Sequence, residues 1–429
     1  MRSQRRRSLH PLGMSSADEK TASSIADEVR AKFSHSTKGH LLDGTPIDLA
    51  EMDEIIKPNR RESLIPFHNR RATMYGDSPA AKKSWDGFLT KLFLRKPIDM
   101  PILSVYLSIA LTTVPSAFAL AYVNYKGALP NYVMHLWGVA HVVMTLVGQA
   151  PGFILGLHYS SHVRIWKPRF EWMDGIVHHL YCALFGIPCG AYYCHHVIMH
   201  HKEDNQLDWD ASTTMPYQRD NWLHLLAYCL RYILGIWFEL PAVLFSRDRW
   251  FAGAKLFVTG TSYLAIMYKG MGAIPIATGY TLLVPFVVIS FALMRGNQLQ
   301  HIFVSPDDPT CDYKLSYDVC NTWMNQETFN DGFHVEHHVS PNTHWADLPL
   351  KFLSLLPKHK ERDSLIFTGL HPDEIHSLVY SGNLDKLADH YVNIGQPSGT
   401  SKEVLIAEIR RRLSPIYTHH RSAHKAKIH

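Results

Sequence analysis

The chain is short of several things that would define simpler classes. Cysteine is scarce and unpatterned: Cys182, Cys189, Cys194, Cys229, Cys311 and Cys320 form no CxxC pair and show no close, even spacing. That fits reduced thiols in a cytosol-facing protein. A strong charge is missing too. The formal net charge is +5, too mild for this length to indicate nucleic-acid binding. The basic N-terminus MRSQRRRSLHPLGMSS has no apolar core, which excludes a secretory signal peptide; its Arg- and Ser-rich composition leaves a transit peptide open, against which Asp18, Glu19, Asp27 and Glu28, following soon after, weigh. There is no internal repeat, no low-complexity block and no contiguous histidine tract.

Charge is also absent from several long apolar runs. Pro101–Val123 and Tyr132–Leu157 are uncharged and long enough to cross a hydrocarbon core of ~30 Å. The short loop between them implies an antiparallel hairpin. Ala254–Tyr268 and Ala273–Met294, joined by KGMG, read as a second hairpin whose first helix is short. Ile176–Cys194 holds His178, His179 and Pro188, and Trp222–Phe245 holds Arg231, Glu239 and Pro241. Charges inside a span are expensive, so both are expected to be interfacial or half-inserted helices. Arg60, Arg61, Arg70, Arg71, Lys82, Lys83, Arg95 and Lys96 precede the first run; Arg164, Lys167 and Arg169 follow the second; Arg295 follows the last. Each hairpin loop holds one lysine, Lys126 or Lys269. Both termini and the long middle region are therefore expected in the cytosol.

The expectation is an all-α membrane protein with about four transmembrane helices in two hairpins, interfacial helices and a cytosolic cap. Three regions follow: a cytosolic, partly disordered segment over 1–96, a membrane catalytic domain over 97–350, and a cytosolic helical tail over 351–429. In the tail, Thr400 and Glu403 fit a capping box, Leu405, Ile409 and Leu413 share a face, and Arg410, Arg411 and Arg412 form a solvated one.

What the chain has in excess is histidine, 28 residues. Four groups stand at or just beyond the ends of apolar runs: His158-x-x-x-His162, His196-x-x-x-His200-His201, Asn297-x-x-x-His301 and His334-x-x-His337-His338. Residues at i and i+3 or i+4 share a helix face and can share a metal. Adjacent histidines point about 100° apart, so one can serve one metal and its neighbour a second. Nine imidazoles and one amide suit two metal ions, although imidazole binds Zn, Cu, Fe and Ni alike. All four groups fall on one membrane face only if Trp222–Phe245 does not span. His196 is preferred over His195 because its i, i+4 partner is His200. His135 and His141 read as buried polar contacts, and His178, His179 and His195 as interfacial or supporting residues.

These boxes resemble those of the membrane fatty acid desaturase superfamily: HxxxH at His158–His162, HxxxHH at His196–His201 and HxxHH at His334–His338, across roughly residues 100–350. GNQLQH is similar to that family's NxxxH element, which implies an iron ligand at His301 and a water held by Asn297. His334 stands where front-end desaturases usually carry Gln. The resemblance implies two non-haem irons, O2, a lipid substrate and two electrons from a separate carrier, cytochrome b5 or alternatively ferredoxin. His10 begins HPLG, superficially like the haem-binding HPGG of cytochrome b5, but too few residues precede it to build that domain. A lipid, sterol or sphingolipid hydroxylase of the same superfamily would carry the same boxes. A zinc-dependent membrane hydrolase or receptor would use fewer histidines. The ending KAKIH places Lys425 and Lys427 as in a dilysine retrieval signal, which points to the endoplasmic reticulum, with a plastid membrane as the alternative.

Overall fold

The computed structural model of the chain describes residues 16–56, 85–207 and 209–417. His10, the basic positions Arg60, Arg61, Arg70, Arg71, Lys82 and Lys83, and the Lys425/Lys427 pair lie outside the described residues.

The described chain is helical apart from two small strand pairs. After α1 (Ser16–Arg30), β1 (Lys38–His40) and β2 (Pro46–Asp48) pair antiparallel. Two long apolar helices follow, α2 (Pro97–Lys126) and α3 (Asn131–His162). Their turn is set by Gly127, left-handed at φ 58° where a glycine carries no steric penalty, and by Pro130 ahead of α3. Next come α4 (Trp222–Ser246), α5 (Trp250–Ala273) and α6 (Pro275–Gln300). The C-terminal part comprises β3 (Tyr317–Cys320), α7 (His334–Val339), α8 (Leu348–Arg362), β4 (Leu365–Thr368), α9 (Pro372–Tyr380) and α10 (Lys402–Leu413).

The two hairpins meet at their turns. Leu120, Met134 and Ala277 form a small buried cluster there, and Asn124 Oδ1 accepts from the Ala277 amide at 3.0 Å. The histidine-bearing ends lie opposite.

Among the described residues, four helices are long and apolar enough to cross a bilayer: α2, α3, α4 and α6. This departs from the sequence expectation at one place. Ala254–Tyr268 lies within a 24-residue helix, longer than expected, that falls outside this apolar group, whereas the 25-residue α4 falls inside it. Contacts decide how the two are used. The start of α4 sits at the histidine end, where Tyr228 Oη accepts from Asn297 Nδ2 at 2.7 Å. Its far end is tied to the same region, because Arg247, the next residue, pairs with Glu203 at 2.5 Å and lies 3.9 Å over Trp209. A helix with both ends beside the histidines does not carry the chain away from them. By contrast α5 starts there and ends where Gly270 packs on Thr278, at the opposite turn. An even number of crossings, α5 and α6, then returns His301 to within 3.1 Å of His200.

Residues 173–184 and 191–203 form a helical hairpin rather than one element. Its turn at Gly186 (φ 74°) presses on the middle of α6, and a Cβ there would stand 2.2 Å from the Phe286 amide nitrogen.

The flanks are built into the same body. Glu54 is buried and accepts from the Asn321 and Thr322 amides and Asn325 Nδ2, at 3.1, 3.1 and 2.8 Å. The boundary expected at 350 falls inside α8, and β4 pairs in parallel with β3 across it. Leu405, Ile409 and Leu413 are buried as their spacing predicts. The cap of α10 is Ser401, whose hydroxyl accepts from the Val404 amide, and not Thr400. Arg412 departs from the solvated face: it is buried, held by Glu408 at 2.6 Å.

Candidate metal centre

The first pair comes from the last turns of α3, where i, i+4 spacing sets His158 and His162 on one face. The second group comes from the 191–203 arm, wound as a π-helix over Cys194–His200. That local widening lets His196, His200 and His201 all face inward. His301 follows the last residue of α6. The last group stands on α7, where five of the six residues, His334, Val335, Glu336, His337 and His338, are buried.

Donor nitrogens of His158, His162, His196, His201 and His337 lie within 4.8 Å of one another, and those of His200, His301 and His338 form a second such group. In the first, His337 Nε2 stands 2.6 Å from His158 Nε2 and 2.9 Å from His201 Nε2, and His196 Nε2 stands 3.1 Å from His201 Nε2. In the second, His200 Nε2 and His301 Nε2 are 3.1 Å apart. The adjacent pairs divide between the groups: His201 and His337 belong to one, His200 and His338 to the other. His334 lies at the edge of the second, its ring centroid 5.2 Å from His301 and 4.9 Å from His338. His195 belongs to neither, and neither do His135, His141, His178 and His179.

The environment keeps these imidazoles ready to ligate. Burial first, and neighbouring imidazoles second, push His196, His201, His334, His337 and His338 well below the usual histidine range. Burial takes His301 down to about 3. Neutral imidazole is the form that binds metal. Among the described residues, neither ring nitrogen of His334 or His338 has a hydrogen-bond partner. An unsatisfied buried donor or acceptor costs ~1–3 kcal/mol. A cation taken up by one nitrogen of each ring removes that nitrogen's share of the cost, so the residues fit a two-metal site.

Supporting residues fix which nitrogen faces inward. His200 Nδ1 donates to Asp210 Oδ2 at 2.7 Å, and His301 Nδ1 donates to the Leu315 carbonyl at 3.0 Å, which leaves both Nε2 atoms facing each other. Burial would raise the Asp210 carboxyl, but the adjacent His200 outweighs it and holds Asp210 well below the usual carboxylate range. Asp331, which burial raises to about 7, lies 3.5 Å from His158 Nδ1. Asn297 donates its amide to the Ser212 carbonyl and Tyr228 Oη at 3.1 and 2.7 Å, which orients the side chain and leaves its Oδ1 as the acceptor.

Sequence reasoning missed Asp210 and Asp331, which stand in no recognisable spacing. It also missed the buried trio Asp318, Glu336 and His359, in which His359 Nε2 lies 2.6 Å from Glu336 Oε1. Glu336 sits inside the HVEHH box, the one available hint.

The family model described as fatty acid desaturase matches residues 132–367 of the 429-residue chain. The match begins at the second residue of α3 and ends within β4, so it contains every histidine of the two groups. No curated protein and no solved structure matches the chain.

Proposed function

The chain belongs to the fatty acid desaturase family of oxygen-dependent membrane oxidoreductases, and we propose that it is a desaturase that removes two hydrogens from the alkyl chain of a lipid. Two irons are the proposed cofactor. One set of ligands is His158, His162, His196, His201 and His337; the other is His200, His301, His338 and His334, with Asn297 holding a water. The observation that carries this reading is the division of the two adjacent histidine pairs between two donor groups. A single-metal zinc site has no use for that division. Iron, when bound, supplies oxidation of an unactivated C–H bond with O2 and two external electrons.

The chain's own residues do the rest. Asp210 and the Leu315 carbonyl hold protons at Nδ1 of His200 and His301, so that Nε2 is free. A cavity of about 360 Å³, lined by α3 and α6 and reaching His158, His196 and His334, holds an alkyl chain beside the imidazoles and excludes water. The electrons come from cytochrome b5, with ferredoxin as the alternative. The proposed location is the endoplasmic reticulum membrane, with both termini and the histidine cap in the cytosol; a plastid membrane is the alternative.

Expression in a desaturase-deficient host with lipid profiling by mass spectrometry tests the reaction. New unsaturated chains are the expected result. Hydroxylated chains alone would assign a hydroxylase of the same superfamily. The absence of any O2-dependent lipid product from iron-loaded protein would overturn both.

A further inference from the structure

The two hairpins touch at one end and part at the other. At the turn end, Gly138 of α3 lies under the Tyr280 ring, where a Cβ would be 2.1 Å from the nearest ring carbon, and His135 Nδ1 lies 3.1 Å from Tyr280 Oη. Toward the histidines α3 and α6 separate around the cavity. One wall is Ala150, Pro151 and Ile154 of α3, and the facing wall is Val288, Ala292 and Leu293 of α6. Pro151, Val288 and Ala292 are exposed to the outside of the helix bundle, within runs apolar enough to lie in a bilayer. The cavity thus has a mouth on the side that faces lipid tails. Its inner end is polar, with His158, His196, Asn297 and His334.

The end away from the turns is closed over α6 by α9. Arg295 pairs with Asp373 at 2.6 Å, Gln298 Nε2 donates to Tyr380 Oη at 3.1 Å, and Pro372 forms part of the cavity wall. A chain arriving from water has to displace these contacts, whereas a chain already in the bilayer does not.

We propose that the cleft between α3 and α6 is a lateral substrate slot that admits the acyl chain of a bilayer phospholipid sideways, in preference to a soluble acyl thioester. This rests on the desaturase reading and adds the source of the chain and the route by which it enters. The slot spans roughly 15–18 Å from Leu146 to His158 at 1.5 Å per residue, about half of a ~30 Å hydrocarbon core. His158 closes the slot at the histidine end of α3, so a chain of that leaflet lies with its headgroup-proximal part beside the imidazoles and its tip toward Leu146.

The test uses full-length, iron-loaded protein in nanodiscs of a phosphatidylcholine that carries a diazirine at mid-chain. A parallel sample in plain nanodiscs receives the same acyl chain as its coenzyme A thioester in the water phase. After illumination, peptide mapping is expected to place the phospholipid cross-links on the slot residues of α3 and α6. Ala292→Trp and, separately, Val288→Trp fill the mouth and are expected to lower that capture roughly tenfold, as overpacking of a filled site does. Val287→Trp, exposed on α6 but not lining the cavity, should leave it unchanged. Iron content and elution volume, measured on every variant, show that the centre and the fold persist. Slot cross-links from the thioester alone, or phospholipid capture that both mouth variants leave intact, would overturn the lateral slot. Either result, with two irons and lipid turnover retained, leaves the desaturase reading standing; failure of that reading shows instead as iron-loaded protein with no lipid product.

Discussion

Exchanging Asp210 for Asn keeps the side-chain shape and changes one atom's hydrogen-bonding sense. Asp210 Oδ2 accepts from His200 Nδ1 at 2.7 Å, while Oδ1 accepts from the Ser212 amide and hydroxyl at 2.7 and 2.6 Å. In the variant, Ser212 keeps the amide oxygen, so the NH2 group turns toward His200. Two donors then face each other. The clash is relieved only if His200 carries its proton on Nε2, the nitrogen that approaches His301. The relieved state takes the Nε2 lone pair from the group His200 shares with His301 and His338, and the strained state leaves His200 without the partner that orients it. Loss of such a supporting partner weakens metal binding about 10–100-fold, or roughly 1.4–2.7 kcal/mol. The His158, His162, His196, His201 and His337 group does not contact Asp210 through any of these bonds, so it should keep its metal. Purified Asp210→Asn protein, dialysed against a mild chelator, is expected to retain about one iron where the unaltered chain retains two. Lipid turnover should fall at least tenfold, with elution volume unchanged. Two retained irons with near-normal turnover after the same challenge would refute the reasoning.

Other outcomes follow from the same geometry. His162, His200, His301 or His337 changed to Ala should abolish turnover and lower iron, while His135, His178 or His179 changed to Ala should keep most of it; iron content and product yield on equal protein check this. Arg219 is buried, has no ion pair among the described residues, and donates to the carbonyls of Thr214, Met215, Tyr217, Ile302, Arg412 and Ser414. Arg219→Met withdraws a donor from all of these carbonyls, of which Thr214 and Met215 keep the Tyr217 and Ile416 amides; a loss of about 3–5 kcal/mol, read as a lowered midpoint in thermal unfolding, is expected from the other four at the low end of the ~1–3 kcal/mol cost of each unsatisfied group. Metal-free protein should lose stability on acidification. Burial holds His196, His201, His301, His334, His337 and His338 below the ordinary ~6.5, so the unfolded chain binds more protons as pH falls below ~6.5 and the folded state is progressively disfavoured. A thermal midpoint that does not fall between pH 7 and 5.5 would contradict this. Gly186→Ala should disrupt folding, since its Cβ would meet the α6 backbone, and size-exclusion chromatography reads that outcome.

Much of the centre was legible in the sequence because its ligands follow helix periodicity. The i, i+4 spacing of His158 and His162 and the adjacent pairs His200–His201 and His337–His338 state their geometry directly. Placement at helix ends was legible because the apolar runs stop just before His158 and His301. The third crossing was harder, because α4 is the more apolar helix and α5 the one that runs from the histidines to the far turn; only contacts at Arg247 and Gly270 separate them. Asp210 is ten residues from His200 in an irregular segment, where no period links a carboxylate to its partner. Arg412 stands in an arginine run that reads as solvated, yet the turn of α10 directs it inward to Glu408 and the Asp363 carbonyl.

Elemental analysis of the purified, detergent-solubilised chain tests the central claim most directly. Two donor groups of eight imidazoles, with His334 beside the second, predict about two irons per chain. One zinc per chain and no iron would contradict the account.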